Sequence, residues 1–408
     1  MKKRAIILLS MLLILISGCN KDSSTDEKPV YNVQSDSISV SSSDPCCSEE
    51  NLSGHENVFN PDFKGVTITM QTPKIISSPF ANMSNQIVSY DEETDTLYYA
   101  NYQGRFGNED DYYLYSFKDG KSELILEMPV NYINYYNGAV YFTSNEDILA
   151  LYGLYPLRPE GKLYKYNLFD KTIETLVEEN VYNVIIYEDY IYYTTSPIVD
   201  NELKIIVGGR LHFRIPVSGG EPEYMDDLRR FFYGEYQIRE TYNEEKGFLL
   251  ELVSEQKTER ITGYIKGGID RNFCILENKL WFNYLEGTKH QIASVDLQTG
   301  ETKIYGNGFD YGADFTFVVL DNEIYACEQN KNAVYKYNEE NNEFVFAFGS
   351  DPERSPRERK PGAQAVLTDG KYIYALTLDS SGDFKDWRNN LIRLVPIGNE
   401  KFKEVVIY

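Results

Sequence analysis

A short apolar and aromatic segment recurs along the chain at a nearly constant spacing, each time directly after a tight polar turn. Six intervals separate the first central residue, Tyr98, from the last, Tyr374, which gives a mean period of 46 residues. This period matches one four-stranded blade of a β-propeller. The segments are Leu97-Tyr98-Tyr99, Val140-Tyr141-Phe142, Ile191-Tyr192-Tyr193, Phe248-Leu249-Leu250, Leu280-Trp281-Phe282, Ile324-Tyr325-Ala326 and Ile373-Tyr374-Ala375. We therefore predict an all-β fold, a β-propeller of four-stranded antiparallel blades over residues 62–408, with seven blades as first choice and six or eight as alternatives.

The second repeat shows all four strands of the predicted blade. An Asn137-Gly138 turn joins an inner strand, residues 132–136, to a second strand, residues 139–143. Asn-Gly is a strong signal for a two-residue hairpin because both positions tolerate a positive φ. Two further strand patterns follow at residues 163–168 and 173–177. Similar turns recur in other repeats, so successive antiparallel sheets are expected.

Two segments fit the repeat less well. In the fourth repeat, residues 248–253 are expected to form the second strand and residues 260–265 the third, with no clear fourth strand. Ahead of the first repeat, residues 66–70 alternate like a strand. We expect them to add to the first or last blade, where an extra strand would cover an open edge.

Composition and charge narrow the function. The chain contains 35 Tyr and 21 Phe, which suit half-buried pleated surfaces, but only three His, which leaves little for acid–base chemistry. The formal net charge is −23. Because phosphate contacts need a basic face, nucleic acid is not an expected partner.

The N-terminus has the pattern of an export signal. Three basic residues precede an apolar run, residues 5–16, which is shorter than the roughly 20 residues of a spanning helix. The next residues, Ile16-Ser17-Gly18-Cys19, look like a bacterial lipobox, whose Cys thiol receives a diacylglycerol. We predict a signal peptide over residues 1–18 and a lipid on Cys19 that makes the membrane a partner. The alternative is an ordinary secretory signal with an incidental Cys.

The expected location is therefore extracytoplasmic and lipid-anchored. In a single-membrane bacterium this is the cell surface, and with two membranes it is the periplasm or the outer membrane. Residues 19–61 are rich in Ser, Asp, Glu and Asn without periodicity, as in a disordered tether. Within it, Cys46-Cys47 and His55 lack the neighbours of a zinc site, and Cys274 and Cys327 fall in apolar strand patterns. No metal and no cofactor is predicted.

Two strand ends carry a family resemblance. Tyr141-Phe142-Thr143-Ser144 and Tyr192-Tyr193-Thr194-Thr195, each followed by a Leu-Tyr-x-Tyr type strand, resemble the Tyr-Trp-Thr-Asp and TolB-like class of propellers. More closely, residues 85–408 resemble the Tyr-rich propeller domains of unknown function in exported bacterial lipoproteins. The chain lacks the Asp that follows Thr in the receptor-type repeats, which are typically six-bladed, so blade count and ligand class do not carry over. The resemblance implies the architecture and a binding or scaffolding role.

The turns between the first and second strands and between the third and fourth strands are short, whereas the connections from the second to the third strand and from one repeat to the next are often long. In a propeller the long connections emerge on the same face. A face with long loops is suited to recognition. Aromatic residues and Arg are enriched in binding hot spots, although such aromatics also pack within their own loops. The candidate ligand-binding residues are Phe106, Arg105, Tyr152, Tyr155, Arg158, Phe384 and Trp387.

A second candidate site is the mouth of the central channel. Polar residues about ten positions ahead of the second-strand aromatics fall at or near the starts of inner strands. They would grip a small ligand or an ion there, or order channel water. These residues are Asn131, Asn183, Arg271, Asp314 and Gln364.

The sequence thus predicts recognition or scaffolding of another envelope component, a protein or a glycan, through the long-loop face. No catalytic residues are assigned, since neither a serine-hydrolase elbow nor a His-Glu-x-x-His motif is present. The alternative is a carbohydrate-active enzyme, a hydrolase or lyase, because two acidic residues need no signature spacing.

Overall fold

The computed structural model describes most of the repeat region. The described residues are 57–70, 87–101, 112–144, 161–195, 199–200, 205–206, 211–225, 232–265, 273–276, 278–310, 315–328, 331–349, 362–379, 388–397 and 402–408. They all belong to one compact unit, Ser53–Tyr408. They form strands and turns without an α-helix, and no described segment is a helix long and apolar enough to cross a membrane. The predicted residues 1–18, with Cys19 and most of the tether, lie outside this range.

Antiparallel sheets follow one another in chain order, and we name each by its repeat. Repeat 1 comprises β1 (Val88–Asp91), β2 (Thr96–Ala100), β3 (Tyr113–Lys118) and β4 (Lys121–Pro129). Repeats 2 and 3 share one sheet made of β5 (Asn131–Tyr136), β6 (Ala139–Ser144), β7 (Gly161–Asn167), β8 (Ile173–Tyr187), β9 (Tyr190–Thr195), β12 (His212–Pro216) and β13 (Glu223–Met225), while β10 (Val199–Asp200) and β11 (Ile205–Ile206) pair separately.

The later repeats are four-stranded sheets. Repeat 4 comprises β14 (Phe232–Tyr233), β15 (Tyr236–Asn243), β16 (Gly247–Val253) and β17 (Thr258–Arg260); repeat 5 comprises β18 (Phe273–Leu276), β19 (Lys279–Glu286), β20 (Lys289–Asp296) and β21 (Thr302–Asp310). Repeat 6 comprises β22 (Phe315–Leu320), β23 (Glu323–Glu328), β24 (Ala333–Asn338) and β25 (Glu343–Gly349); repeat 7 comprises β26 (Gly362–Thr368), β27 (Ile373–Asp379), β28 (Arg388–Pro396) and β29 (Phe402–Val406). This confirms the all-β prediction and the four-stranded antiparallel blade. The number of blades stays a prediction.

The single strand β8 joins repeats 2 and 3. Its first part is the outer strand of repeat 2, where Ile173 pairs with Tyr166. Its second part is the inner strand of repeat 3, where Tyr187 pairs with Tyr190. Near the middle, Val181 pairs both with Gly161 and with Thr195. One continuous strand therefore belongs to two consecutive repeats and joins them into one sheet.

The last sheet packs against the first. One apolar cluster contains Leu97 and Leu114 of repeat 1 together with Leu367 and Leu391 of repeat 7. The Ser122 hydroxyl donates a hydrogen bond to the Ile407 carbonyl, 3.1 Å away. These contacts close the chain of sheets on itself, as a propeller requires.

The segment ahead of the first repeat, residues 57–70, does not add to the first or last blade, so the expectation for residues 66–70 is wrong. They form no strand and lie instead on repeats 4 and 5. The Val66 N–H donates to the Leu297 carbonyl at 2.7 Å, and Asn57 Nδ2 donates to the Ile261 carbonyl at 2.9 Å. We call residues 57–70 the strap. Alternation alone could not reveal that its hydrogen bonds go to turns of distant sheets.

The strap fits by close backbone contact. Gly65 has φ +87°, and a Cβ there would lie 1.9 Å from the Gln298 carbonyl oxygen. Gly300 has φ +77°, and its Cβ would lie 2.4 Å from the Phe63 carbonyl oxygen. Phe63 itself is buried in the apolar cluster between repeats 4 and 5. Glycine on both sides of the contact lets the strap approach this closely.

In repeat 4 the segment expected as the second strand is the third. Residues 248–253 lie in β16, whereas β15 is the second strand, and the outer strand β17 is only three residues long. The strand β15 was not predicted because it is rich in polar residues. One of them, Arg239, donates a hydrogen bond to Glu251 Oε2 at 2.8 Å. Thr241 donates to the same oxygen at 3.1 Å.

Candidate functional site

The residues predicted on the long-loop face lie outside the described residues. The structure therefore leaves them as predictions, together with Cys19 and two of the channel residues. These residues are Arg105, Phe106, Tyr152, Tyr155, Arg158, Phe384, Trp387, Arg271 and Asp314.

The other channel residues lie at or beside register irregularities of three inner strands. Asn131 directly precedes the irregularity of β5, whereas Asn183 lies within that of β8 and Gln364 within that of β26. Asn131 and Asn183 are buried, with 8% and 6% of their surface exposed, and Asn183 has φ +57°. Asn tolerates this left-handed conformation better than most residues. Their role toward a ligand stays a prediction.

A different site is built from the repeat itself. In four repeats the central aromatic of the second strand pairs directly with a basic residue of the third strand: Tyr141 with Lys165, Tyr192 with Arg214, Tyr325 with Lys336 and Tyr374 with Arg393. The Lys336 ammonium lies 5.8 Å from the Tyr325 ring centroid, within cation–π range. The repeat therefore encodes a cross-strand aromatic–cation pair.

Repeat 5 breaks this pattern and opens a cleft. There Trp281 pairs with Ser294, whose short side chain leaves space beside the indole. The ring of Tyr305, in β21, fills part of this space and stacks on Trp281 with ring centroids 5.0 Å apart. The remaining cavity, between repeats 5 and 6, has a volume of about 540 Å³. We call it the 5/6 cleft; it is lined by Lys279, Trp281, Lys303, Tyr305, Asn322, Glu323, Lys336, Tyr337, Asn338, Glu339 and Glu340.

Three aromatic side chains form one wall of the 5/6 cleft. Tyr337 meets Tyr305 edge to face, with centroids 5.2 Å apart and an interplanar angle of 86°. The Tyr305 hydroxyl is 2.9 Å from Ser294 Oγ. Burial raises the pKa of Tyr305 to about 12, so its hydroxyl stays protonated at neutral pH. The wall therefore offers neutral aromatic faces with a polar edge.

Four of the six charged residues that line the cleft form two ion pairs. Lys303 Nζ is 2.5 Å from Glu339 Oε1, and Lys336 Nζ is 2.6 Å from Glu323 Oε1. Lys303 also lies over the faces of Tyr305 and Tyr337, 5.1 and 5.9 Å from their centroids. The lysine stems thus cover aromatic surface while the ammonium groups meet carboxylates.

Both paired carboxyls are ionised at neutral pH. The hydrogen bond from Lys303 lowers the pKa of Glu339. Burial by itself would raise the pKa of Glu323, but the hydrogen bonds from Lys336 and Tyr325 outweigh it and the pKa is lowered. Neither group is suited to deliver a proton, which a glycosidase acid must do.

Polar atoms without partners lie in or beside the wall. Trp281 is 2% exposed, and its indole Nε1 has no hydrogen-bond partner among the described residues. Asn283 lies two positions further along β19, on the same face, and is fully buried; within the described ranges both its amide atoms also lack a partner. Such groups normally bond to a partner or to water.

Sequence reasoning missed this site. Ser294 gave no distinct signal: repeats 2, 3, 6 and 7 carry Lys or Arg at this place, but repeat 1 also carries a serine, Ser116, opposite Tyr98. No three His, Cys, Asp or Glu side chains within the described ranges are grouped so that they could hold a metal ion. The arrangement can bind a ligand by stacking and hydrogen bonding.

The sequence matches no protein-family model and no curated protein. Among solved structures, a puromycin-hydrolysing peptidase of Mycobacterium tuberculosis is similar with a TM-score of 0.52 and 11% identity, over 84% of this chain and 57% of that chain. An acylaminoacyl peptidase of Pyrococcus horikoshii gives 0.49 and 10%, over 80% of this chain and 54% of that one. This chain thus spans little more than half the length of these two proteins.

A third similar structure is the virginiamycin B lyase of Staphylococcus aureus, with a TM-score of 0.41 and 12% identity, over 76% of this chain and 94% of that chain. At such identities the likeness concerns the fold alone. The four-stranded antiparallel sheets that close on themselves define this chain as a β-propeller.

Proposed function

We propose that this protein is an exported lipoprotein whose propeller binds another component of the bacterial cell envelope, a protein or a glycan. It is held to the membrane by a lipid on Cys19, with its propeller outside the cytoplasm. The 5/6 cleft is the observation that carries the binding role, because its volume of about 540 Å³ falls within the range of about 300–1,000 Å³ typical of ligand pockets. The long-loop face is a second candidate contact surface.

Binding is favoured over catalysis by the chemistry of the cleft. A glycosidase pair needs one carboxyl that stays protonated to serve as the acid. The pKa values of Glu323 and Glu339 are both lowered, so the pair lacks that acid. The carbohydrate-active alternative therefore gains no support from this cleft.

Envelope binding is tested with the soluble fragment Ser53–Tyr408 on envelope preparations from cells lacking the protein. We expect retention of the wild-type fragment and at least tenfold weaker retention of Tyr337→Ala, because Tyr337 forms part of the aromatic wall. Tyr242→Ala is the control, since Tyr242 is 60% exposed on repeat 4. Equal retention of both variants, with unchanged thermal midpoints, would rule out the cleft as the contact.

The anchor is tested by Cys19→Ser in cells. Without the thiol that receives the lipid, the protein should leave the membrane fraction. Membrane retention of the variant at the wild-type level would contradict a lipid anchor. Turnover of an envelope glycan that is abolished by Glu323→Gln or Glu339→Gln would contradict the binding role and support an enzyme.

A further inference from the structure

We propose that the 5/6 cleft binds a neutral sugar chain, and that a sugar ring takes the place of the Lys303 side chain on the aromatic wall. The inference rests on the proposed binding function and specifies its ligand. It depends on the charge balance of the cleft, the chemistry of its wall and the position of Lys303.

The charge balance argues against an ionic ligand. The lining contains three Lys and three Glu, in a protein whose formal net charge is −23. An anion would compete with Glu339 for Lys303 and with Glu323 for Lys336, and both of those pairs are already formed. A cation would find the aromatic faces already covered, because Lys279 lies 6.0 Å from the Trp281 centroid and Lys303 lies over Tyr305. A neutral ligand does not compete for these charged partners and has only to displace Lys303 from the aromatic faces.

The chemistry of the wall suits a polyhydroxylated ligand. A sugar ring presents a face of C–H groups that packs on an aromatic ring, and hydroxyls around its rim that both donate and accept hydrogen bonds. The cleft supplies ammonium donors, carboxylate acceptors and the amides of Asn322 and Asn338. Because sugar hydroxyls donate and accept, they can pair with both kinds of group.

Lys303 occupies the position that such a ring needs. Its ammonium lies over both Tyr305 and Tyr337, and its side chain is 46% exposed. Moving it breaks an ion pair with Glu339, whose side chain is 79% exposed, and exposed pairs of this kind are weak and screened by salt. The lysine therefore covers the wall while the cleft is empty and is displaced at small cost.

The test is calorimetric titration of the fragment Ser53–Tyr408 with chitotetraose, cellotetraose and maltotetraose as neutral probes, tetragalacturonate as an anion and choline as a cation. We expect at least one neutral probe to bind, with an affinity that is unchanged or higher when salt is added. Lys303→Ala should strengthen binding about two- to fivefold, because the competitor for the aromatic faces is gone. Tyr337→Ala should weaken it at least tenfold, and Tyr242→Ala should leave it unchanged.

Each other outcome overturns the inference. Binding only of tetragalacturonate, weakening with salt, would assign an anion site, and binding only of choline a cation site. Failure of every neutral probe to bind also contradicts a neutral sugar. If the envelope still retains the fragment in a Tyr337-dependent manner, the proposed function stands and only the sugar inference fails; if it does not retain the wild-type fragment, the proposed function fails as well.

Discussion

Two acidic residues accept a hydrogen bond from the central tyrosine of neighbouring repeats but have opposite pKa shifts. Asp369 accepts a hydrogen bond from the Tyr374 hydroxyl at 2.5 Å, and Glu323 accepts one from the Tyr325 hydroxyl at 2.7 Å. Only 6% of Asp369 is exposed, whereas the Glu323 side chain is 44% exposed. Burial accordingly raises the pKa of Asp369, while hydrogen bonds prevail over burial and lower that of Glu323.

We predict that Asp369→Asn changes the pH dependence of stability. Because the pKa of Asp369 is raised in the folded protein, the unfolded chain ionises first as the pH rises. The contribution of this carboxyl is therefore fully present below the ordinary carboxyl pKa and is lost as the pH rises through the raised value. The thermal midpoint of the variant minus that of the wild type should increase from about pH 4 to about pH 8.

Glu323→Gln is the matched control with the opposite sign. A lowered pKa stabilises the folded state above the ordinary carboxyl pKa, and this contribution is lost as the pH falls. The corresponding midpoint difference should therefore decrease from about pH 4 to about pH 8. If the midpoint differences of the two variants changed with pH in the same direction, the difference in burial would not distinguish the carboxyls of Asp369 and Glu323.

At the scale of single residues, the sequence predicted the turns and the buried tyrosines but not the 5/6 cleft. The Asn137-Gly138 turn has φ +47° and +75°, the conformation that these residue types favour. The recurring tyrosines were correctly expected to pack: Tyr99, Tyr193, Tyr325 and Tyr374 are almost fully buried. The 5/6 cleft could not be predicted, because its shape depends on how the Tyr305 ring packs beside Ser294.

Among the elements, the strap supports a repeat whose outer strand is short. Repeat 4 ends with the three-residue β17, and the Gly263 N–H donates to the Phe59 carbonyl at 2.9 Å. The Phe59 ring meets Phe282 and Tyr284 of repeat 5, with centroids 5.3 and 5.1 Å away. The strap thus covers apolar surface that a longer outer strand would otherwise cover.

We predict that Gly65→Ala releases the strap. The added Cβ would collide with the Gln298 carbonyl at a residue with φ +87°, so the variant should lose at least about 2 kcal/mol of stability. Thermal melting and limited proteolysis within residues 57–70 measure the effect. Gly120→Ala is the control, because Gly120 has φ +75° but no neighbour within 4 Å of its Cβ.

The control should lose only about 1 kcal/mol, the cost of the backbone conformation alone. Equal midpoints for the two variants, with the strap still protected from protease, would show that its close contact does not matter for stability.

The sequence predicted most elements because the strands that pair within one repeat are close together in the chain. Six of the seven recurring segments lie on second strands, as expected from the alternation that follows each turn. The exception is residues 248–250, since β15 carries polar side chains toward Glu251 and so lacks the apolar signal. The strap was misplaced because its partners, Ile261 and Leu297, are about 200 residues away in the chain.

On the scale of the whole molecule, the joint between repeats 7 and 1 holds the ring closed. Tyr408 stacks on Tyr99 with centroids 5.4 Å apart, and Arg393 lies 5.4 Å from the Phe117 centroid. The period of the sequence predicted successive blades, but it left open how the first and last would meet. That contact involves side chains some 300 residues apart, which no local pattern records.

We predict that removal of residues 402–408 destabilises the first sheet as well as the last. The deletion removes β29 and takes Ile407 out of the shared apolar cluster. Hydrogen exchange should therefore become faster in β3 and β4 as well as in β28. Lys403→Ser, at an exposed position of β29, is the control and should leave both sheets protected. Faster exchange confined to β28 would contradict support across the joint.

The strap also bears on how the molecule responds to force. The Val58 N–H donates to Thr302 Oγ1 at 3.1 Å, and the next residue along that strand is Lys303, which lies over the aromatic wall. If, as proposed, Cys19 anchors the chain to a membrane, a pull on the segment ahead of Asn57 would reach β21 through this hydrogen bond, next to Lys303. Tension on that segment and occupancy of the proposed binding site would then act on the same strand.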